Sequence, residues 1–274
     1  LPYDTFVKAQ IAGDLLPDNS SLVGGLGLFG LEPWYYGITQ PPQARADERH
    51  DRVDMVTRGF LGLTAACARC HDHKFDPISQ REYYSLLGFI RNVRYYGHPT
   101  QQIDAPGHAA LASSRDIAAW QAKRAERIAD LEKQRGAATS DDVKKKLSAA
   151  IEAVNKESAP CEWALAAKEN GGRIEPTHLL IRGNANTRGA EVVPAFPAAL
   201  GGGKPDLPTP KPGASTTGRR RVLAEWIASP QNPLTARVFV NRLWQRLFGR
   251  GIVKTVTDFG AAGAAPTHPE LLDW

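Results

Sequence analysis

The sequence predicts a mainly α fold: a helical domain, a helical hairpin arm, a small β element and a second helical domain. Three observations predict it. Apolar residues recur every three or four positions in most segments of the 274-residue chain. Only Thr177–Arg182 has the composition of a strand. The 25 glycines and 20 prolines lie mainly between the helical segments, as turn residues do.

Three helices are predicted in the first part of the chain. Tyr3–Leu16 has apolar residues at helical spacing, and Pro17 follows it. Ala44–Leu63 has an apolar side and acidic residues in its first turn. Ser79–Val93 begins with a capping box, Ser79 followed by Glu82. These helices, with the chain up to residue 110, form the first predicted domain.

Two further helices, Ser114–Arg135 and Ser140–Lys156, are predicted to pack as an antiparallel hairpin joined at Gly136. Neither helix contains residues that suggest chemistry. We therefore interpret the hairpin as a structural arm or as a surface for a protein partner.

The last part of the chain starts with the strand Thr177–Arg182 and a turn. A linker rich in glycine and proline follows at 201–217, and then helices over Arg219–Ala228 and Leu234–Phe248, and one that begins at Pro269. The expected division is a motif-bearing helical domain (1–110), the arm (111–160), a small mixed segment (161–200), the linker (201–217) and a C-terminal helical domain (218–274).

Composition excludes several classes of protein. Three cysteines are too few for a disulfide scaffold, and the chain is too apolar, at 42% hydrophobic residues, to be disordered. No stretch approaches ~20 apolar residues, so no transmembrane segment is expected. The net charge of +5 comes from dispersed residues. The runs Lys144–Lys146 and Arg219–Arg221 are predicted to be solvated, and no nucleic-acid partner is expected.

The chemically informative motif is Cys67-Ala68-Arg69-Cys70-His71, followed by Asp72, His73 and Lys74. Cys-x-x-Cys-His is the pattern of covalent haem attachment. On a helix, positions i, i+3 and i+4 project from one face, so two thiols can bond one porphyrin while the imidazole ligates its iron. We therefore predict one haem c, bound by Cys67 and Cys70, with His71 as the proximal iron ligand.

Three other uses of these residues remain open. Zinc could be held by Cys67, Cys70 and one or both of His71 and His73. A thioredoxin-type redox dithiol would use the same two cysteines, although it normally follows a strand. The two cysteines could also form a structural disulfide.

The distal haem ligand is less well indicated by the sequence. His50 and His268 are candidates, the former on the preceding helix and the latter near the C-terminal helix. Met55 is the only methionine, and we interpret it as a core residue. We expect His73 to be a supporting or surface group beside Asp76.

Two features outside the motif have structural interpretations. We expect Cys161 to be buried or to pair outside this segment. The helix over 234–248 contains polar residues that resemble an anion site, but an apolar stripe at Val238, Leu243 and Leu247 explains it without a ligand. The polar residues concerned are Asn241, Arg242, Trp244, Arg246 and Arg250.

Three blocks of the chain resemble planctomycete-type cytochrome c proteins, which have two adjoining domains of unknown function. The blocks are Leu1–Pro17 (LPYDTFVKAQIAGDLLP), Asp51–Tyr84 (DRVDMVTRGFLGLTAACARCHDHKFDPISQREYY) and Asn232–Trp274 (NPLTARVFVNRLWQRLFGRGIVKTVTDFGAAGAAPTHPELLDW). The first two resemble the leading domain and the third the following one. The resemblance implies a haem cofactor and a periplasmic or extracellular location, but no settled activity.

Three functions are compatible with these observations. The first is an extracytoplasmic c-type cytochrome that transfers single electrons to a redox partner protein or to another cytochrome c domain. The second is a haem-dependent oxidase or peroxidase acting on a small molecule or carbohydrate. The third is a haem- or zinc-stabilised assembly module that binds a partner through the arm.

Overall fold

Helices from both ends of the chain pack around one shared core. The structure is a computed structural model that describes residues 1–17, 22–30, 41–94, 108–166, 168–169 and 171–274. The fold is mainly helical, as predicted. The elements are α1 (Tyr3–Ala12), α2 (Pro41–Val56), α3 (Gln80–Ile90), β1 (His108–Ala110), α4 (Ser114–Ala137), α5 (Asp141–Lys156), β2 (Trp163–Leu165), β3 (Thr177–Leu180), β4 (Arg188–Val192), α6 (Arg219–Ile227), α7 (Thr235–Phe248) and α8 (Pro269–Asp273).

Four helices from distant parts of the chain form this core. Helices α1, α2, α3 and α6 bury apolar side chains against one another, and burial of such surface is the main driving force of folding. Helix α6 comes from the segment that the sequence assigns to the C-terminal domain, yet it packs against α1 and α3. Core residues of these helices include Val7, Ile11, Val53, Val56, Tyr83, Leu86, Leu223 and Ile227.

The Cys-x-x-Cys-His motif does not lie on an α-helix, and that expectation was wrong. Helix α2 continues into a π-helical turn, Thr57–Leu61, which ends at Gly62 in the left-handed region (φ 61°). A 3₁₀ helix over Ala65–Arg69 follows, and His71 lies in the bend beyond it. Residues i and i+3 eclipse in a 3₁₀ helix, so Cys67 and Cys70 still face the same side.

The helical hairpin arm is confirmed. Helix α4 runs through Gly136, and the connection to α5 lies at 138–140 rather than at the glycine. Arg124 Nε donates to the carbonyl of Val154 (3.0 Å), which fixes the two helices in antiparallel contact. Strand β1 precedes the arm and pairs antiparallel with β2, which follows it. The two strands therefore close the arm at its base.

A β-hairpin lies beside the motif. The predicted strand at 177–182 is β3, and it pairs antiparallel with β4. A turn over Ile181–Gly183 follows β3, in which Arg182 has a positive φ of 52°. Strands β1, β2 and β4 were not predicted, because segments of three to five residues give little periodic signal.

The C-terminal segment packs against the end of α2. The amide of Phe259 donates to the carbonyl of Gly62 (2.7 Å), and Arg242 donates to the carbonyls of Arg58 and Gly59. Asn241 exchanges two hydrogen bonds with the backbone of Val253 (2.8 and 2.9 Å). These polar residues therefore have structural roles.

The predicted apolar stripe of α7 is only partly buried. Val238 is buried, but Leu243 and Leu247 are 47% and 75% exposed. The expectation for these two leucines was wrong because no described element covers that face of the helix.

One of the two basic runs is not solvated as expected. Arg220 is fully buried, whereas Lys144–Lys146 are exposed. The guanidinium of Arg220 bonds both Asp14 (2.8 and 2.9 Å) and Glu169 (3.0 Å). The prediction failed because Arg220 lies on the face of α6 that packs against the core.

In the described part of the chain, no helix is long and apolar enough to cross a membrane.

Candidate functional site

The motif is held between α2, α3 and the turn after β3. The carbonyl of Arg69 accepts hydrogen bonds from Gln80 Nε2 (2.9 Å) and from the hydroxyl of Tyr84 (3.2 Å), both on α3. Asp72 accepts a bond from the backbone amide of Gln80 (2.8 Å). Helix α3 therefore positions the backbone on both sides of Cys70 and His71.

Arg69, inside the motif, fastens it to α2 and to the β3–β4 turn. Its guanidinium forms an ion pair with Asp47 and donates to the carbonyl of Gly183 (3.2 Å). Gly183 has a φ of 71°, and a Cβ there would lie 3.0 Å from the sulfur of Cys70. A glycine is needed at this position both for the backbone conformation and for the close approach to the thiol.

The three predicted site residues line one open cleft. Cys67, Cys70 and His71 are exposed side chains at its surface, and its volume is about 660 Å³. This volume lies within the range of ~300–1,000 Å³ typical of small-molecule and cofactor sites. Other lining residues include Gln43, Asp47, His50, His73, Phe75 and Arg182.

His71 has a hydrogen bond that leaves one ring nitrogen available. Its Nδ1 lies 2.6 Å from the carbonyl of Asp72, which can only accept, so Nδ1 carries the proton. The lone pair is then on Nε2, which has no hydrogen-bond partner among the described residues. A metal-ligating histidine is normally oriented in this way, by donating its other nitrogen to a carbonyl or carboxylate.

His73, two residues further on, has both ring nitrogens engaged. Its Nδ1 accepts hydrogen bonds from the amides of Asp76 (2.8 Å) and Phe75 (3.3 Å), so Nε2 carries the proton and donates to Thr64 (3.2 Å). The side chain is only 3% exposed. His73 is therefore a structural residue that shapes the loop after the motif, as the sequence suggested.

Of the two candidate distal ligands, the structure brings one into the cleft. His50 lines it, and its Nδ1 hydrogen bonds to the hydroxyl of Tyr83 (2.8 Å). Burial, and then the charge of Arg69, lower the pKa of His50, so its ring is neutral near pH 7. His268 is exposed, contacts Thr267 and does not line the cleft.

The remaining sulfur residues lie apart from the cleft. Met55 packs against the hydrophobic core, as predicted. Cys161 is half-buried in the segment before β2, and all three thiols are free. Across the described ranges, no group of three or more His, Cys, Asp or Glu side chains is arranged to hold a metal ion.

Two protein families match separate parts of the chain. Residues 1–95 match PSCyt2, described as "Protein of unknown function (DUF1549)", and residues 219–274 match PSD1, described as "Protein of unknown function (DUF1553)". This pairing is typical of planctomycete-type proteins with these two domains. The motif lies within the first match, whereas the cleft is also lined by Arg182 and Gly183, which lie outside both matches. No curated protein and no solved structure matches the chain.

Proposed function

We propose that this protein binds one covalently attached haem c through Cys67 and Cys70 and transfers single electrons. The observation that supports this most directly is the hydrogen bonding of His71. With Nδ1 committed to the carbonyl of Asp72, Nε2 is a lone-pair donor beside two exposed thiols, in a cleft of cofactor size. These are the donors that haem c attachment requires.

The donor set favours haem over a closed zinc site. A structural zinc site takes four ligands, and His73 is unavailable because both its nitrogens are hydrogen bonded. The motif then offers Cys67, Cys70 and the neighbouring His71, and no group of three or more His, Cys, Asp or Glu side chains among the described residues is arranged to hold a metal ion. Two thiols and one imidazole are the complete protein requirement for attaching a haem and ligating one face of its iron.

The protein's own residues would hold and orient the group. When bound, the haem supplies one-electron redox chemistry. Asp72 orients the His71 ring through its carbonyl, and Arg69 and Gln80 fix the loop that presents the thiols. We propose that His50 would also hold the group, since it is the predicted distal candidate that lines the same cleft.

The proposal extends to location and partner. Haem attachment of this kind takes place outside the bacterial cytoplasm, so we propose a periplasmic or extracellular location. The open cleft would leave the cofactor accessible to a second redox protein or to another cytochrome c domain, which is the class of partner that single-electron transfer needs.

Expression with c-type haem maturation machinery tests the attachment. We expect the purified protein to retain haem after denaturing electrophoresis, as detected by a haem stain of the gel. The double variant with Cys67→Ala and Cys70→Ala should give no haem stain. Cys161→Ala is the matched control and should stain as strongly as wild type. A colourless wild-type product with stoichiometric zinc would contradict the proposal.

The absorption spectrum tests the role of His50. We expect a low-spin spectrum for the haem-loaded protein and a high-spin spectrum for His50→Ala, because removing the second ligand weakens the ligand field at the iron. His268→Ala should leave the spectrum unchanged. If His268→Ala alone produces the high-spin form, the assignment of His50 is wrong. A high-spin wild type that responds to cyanide would favour an oxidase or peroxidase instead.

A further inference from the structure

A second cavity, of about 200 Å³, is lined by five arginines. It lies between α2, α3 and the β3–β4 hairpin, and shares Arg69 with the cleft described above. Its apolar and aromatic wall includes Tyr83, Tyr84 and Leu87. The arginines are Arg45, Arg49, Arg69, Arg91 and Arg188.

Among the described residues, fewer carboxylates than guanidinium groups lie near this cavity. Arg45 is paired with Glu48, and Arg69 with Asp47. Glu48 also bonds the buried Arg52, so its charge is shared between two guanidinium groups.

Arg49 and Arg91 share Glu175 as an acidic neighbour. Glu175 lies 3.7 Å from Arg49 and 3.9 Å from Arg91, which is beyond hydrogen-bonding distance, and its side chain is 48% exposed. Arg188 has no carboxylate partner among the described residues. Guanidinium groups therefore exceed carboxylates on this side of the cavity.

Two of these arginines also have buried donors without acceptors. The Nε atoms of Arg49 and Arg91 are buried and have no hydrogen-bond partner in the described structure. A buried donor left unpaired destabilises the fold, and more so when it is charged. Burial, followed by repulsion from Arg45 and Arg91, lowers the pKa of Arg49 to about 9. An anion in the cavity would accept hydrogen bonds from the unpaired Nε donors and would offset the repulsion between the guanidinium groups.

We infer that this cavity binds the oxyanion group of a small ligand, a carboxylate, sulfate or phosphate. Arginine presents two parallel N–H donors that match the oxygens of such groups, and Nε–H is one of these two donors. At roughly 30 Å³ per water molecule, the cavity holds about six or seven waters. It is therefore sized for an acidic group with a short apolar extension against Tyr83 and Leu87, and not for a nucleotide.

The anion could come from a separate ligand or from the carboxylates of the proposed haem, since Arg69 borders both cavities. Only the second source depends on the proposed function. The protein expressed without haem tests the site itself, and the haem-loaded protein distinguishes the two sources.

Side-chain NMR observes the unpaired donors directly. Sodium sulfate is titrated into ¹⁵N-labelled protein without haem at constant ionic strength, with sodium chloride as the reference. We expect saturable shifts of the Nε–H resonances of Arg49 and Arg91 with sulfate only. If haem loading removes the response, the haem carboxylates are the source; if the response persists, the ligand is separate. Both results support the site.

Variants give the expected pattern of affinities. Arg49→Gln and Arg91→Gln should each weaken sulfate binding about tenfold, the equivalent of ~1.4 kcal/mol. Arg127→Gln, on the exposed arm, is the matched control and should bind normally. Glu175→Gln should bind sulfate more tightly, because it removes the carboxylate that Arg49 and Arg91 share without removing a donor. This variant tests the site even if the arginine variants fail to fold.

Three results would overturn the inference. They are the absence of a saturable response, an equal response to chloride, and weaker binding by Glu175→Gln.

Discussion

Hydrogen bonding gives two histidines of the motif region opposite roles. His71 donates a hydrogen bond from Nδ1 to a carbonyl, and its Nε2 has no partner among the described residues. His73 is buried and has both ring nitrogens hydrogen bonded. The sequence predicted the role of His71 from its place in Cys-x-x-Cys-His. For His73 the sequence allowed either a zinc ligand or a supporting group. The hydrogen bonds that decide between them come from backbone amides of the following loop to Nδ1, and no sequence motif indicates them.

At the residue scale, Gly260 is predicted to be intolerant of a side chain. A Cβ there would collide with both carboxylate oxygens of Asp76, which is buried and accepts a hydrogen bond from the amide of Ala261 (2.6 Å). We expect Gly260→Ala to lower the free energy of unfolding by about 1–3 kcal/mol, the usual cost of overpacking. Urea denaturation followed by circular dichroism measures it.

Gly136 is the matched control for this substitution. It lies within α4, and a Cβ there would meet no atom within 4 Å. Gly136→Ala should raise the free energy of unfolding by as much as ~1 kcal/mol, because alanine favours a helix over glycine. Equal effects of the two substitutions would contradict the proposed contact between Gly260 and Asp76.

At the scale of elements, sequence patterns predicted long helices well and short strands poorly. The helices of the shared core have buried apolar faces, and the capping box at Ser79 is present with both of its hydrogen bonds. The β1–β2 pair joins three-residue strands that lie on either side of the arm in the sequence, so the pairing is a contact between distant segments. Local sequence contains little information about such a pairing.

The capping box makes a specific prediction for α3. Ser79 accepts a hydrogen bond from the amide of Glu82 (3.2 Å), and Ser79→Ala should cost about 0.5–2 kcal/mol of unfolding free energy. Ser140, which precedes α5, makes no side-chain capping bond. Ser140→Ala is therefore the control, with an expected change of less than ~0.5 kcal/mol. A loss at Ser140 as large as that at Ser79 would refute the capping argument.

Glu82 makes the contribution of the same cap depend on pH. Burial alone would raise its pKa, but hydrogen bonds from the amides of Ser79 and Ala198 lower it below the usual 4.5. Because the folded-state pKa is the lower one, the stabilisation is complete above the unfolded-state pKa and is lost as the pH falls through the folded-state pKa.

We expect the difference in unfolding free energy between wild type and Glu82→Gln to be largest above about pH 5 and to shrink as the pH falls below 4.5. Urea denaturation at several pH values measures it. A difference that stays constant over this range would show that the Glu82 carboxylate does not stabilise the cap.

At the scale of the whole molecule, distant arginines converge in ways that sequence patterns do not reveal. The five arginines that line the second cavity come from α2, the motif, the residue that follows α3, and β4, so no window of the sequence contains them together. Asp47 and Gly183 are also distant from each other in the sequence, yet they both position the motif, the former from α2 and the latter from the β3–β4 turn. The motif itself is visible in five adjacent residues, and its haem chemistry stays a prediction, whereas the surrounding residues that hold it were not predicted.

The interaction of Arg220 with Asp14 and Glu169 connects the two segments that match different families. Asp14 follows α1 within the first match, and Arg220 lies at the start of the second. Glu169, which is 5% exposed, also accepts bonds from Thr216 and Thr217 (2.6–2.8 Å). With α6 in the shared core, this buried network predicts that both segments unfold together in one transition.

Substitution of adjacent arginines tests this prediction. Arg220→Gln leaves Asp14 and Glu169 without their cation in a buried site, where breaking an ion pair costs about 3–5 kcal/mol. Arg221, the next residue, pairs with Glu225 in a bridge that is half exposed on both sides, so Arg221→Gln should change stability by less than ~0.5 kcal/mol. Urea unfolding should show one transition in wild type and a much lower midpoint only for Arg220→Gln. A shared buried cation makes the stability of each segment depend on the other. Similar midpoints for the two variants, or two separate transitions in wild type, would therefore mean that the network does not join the segments.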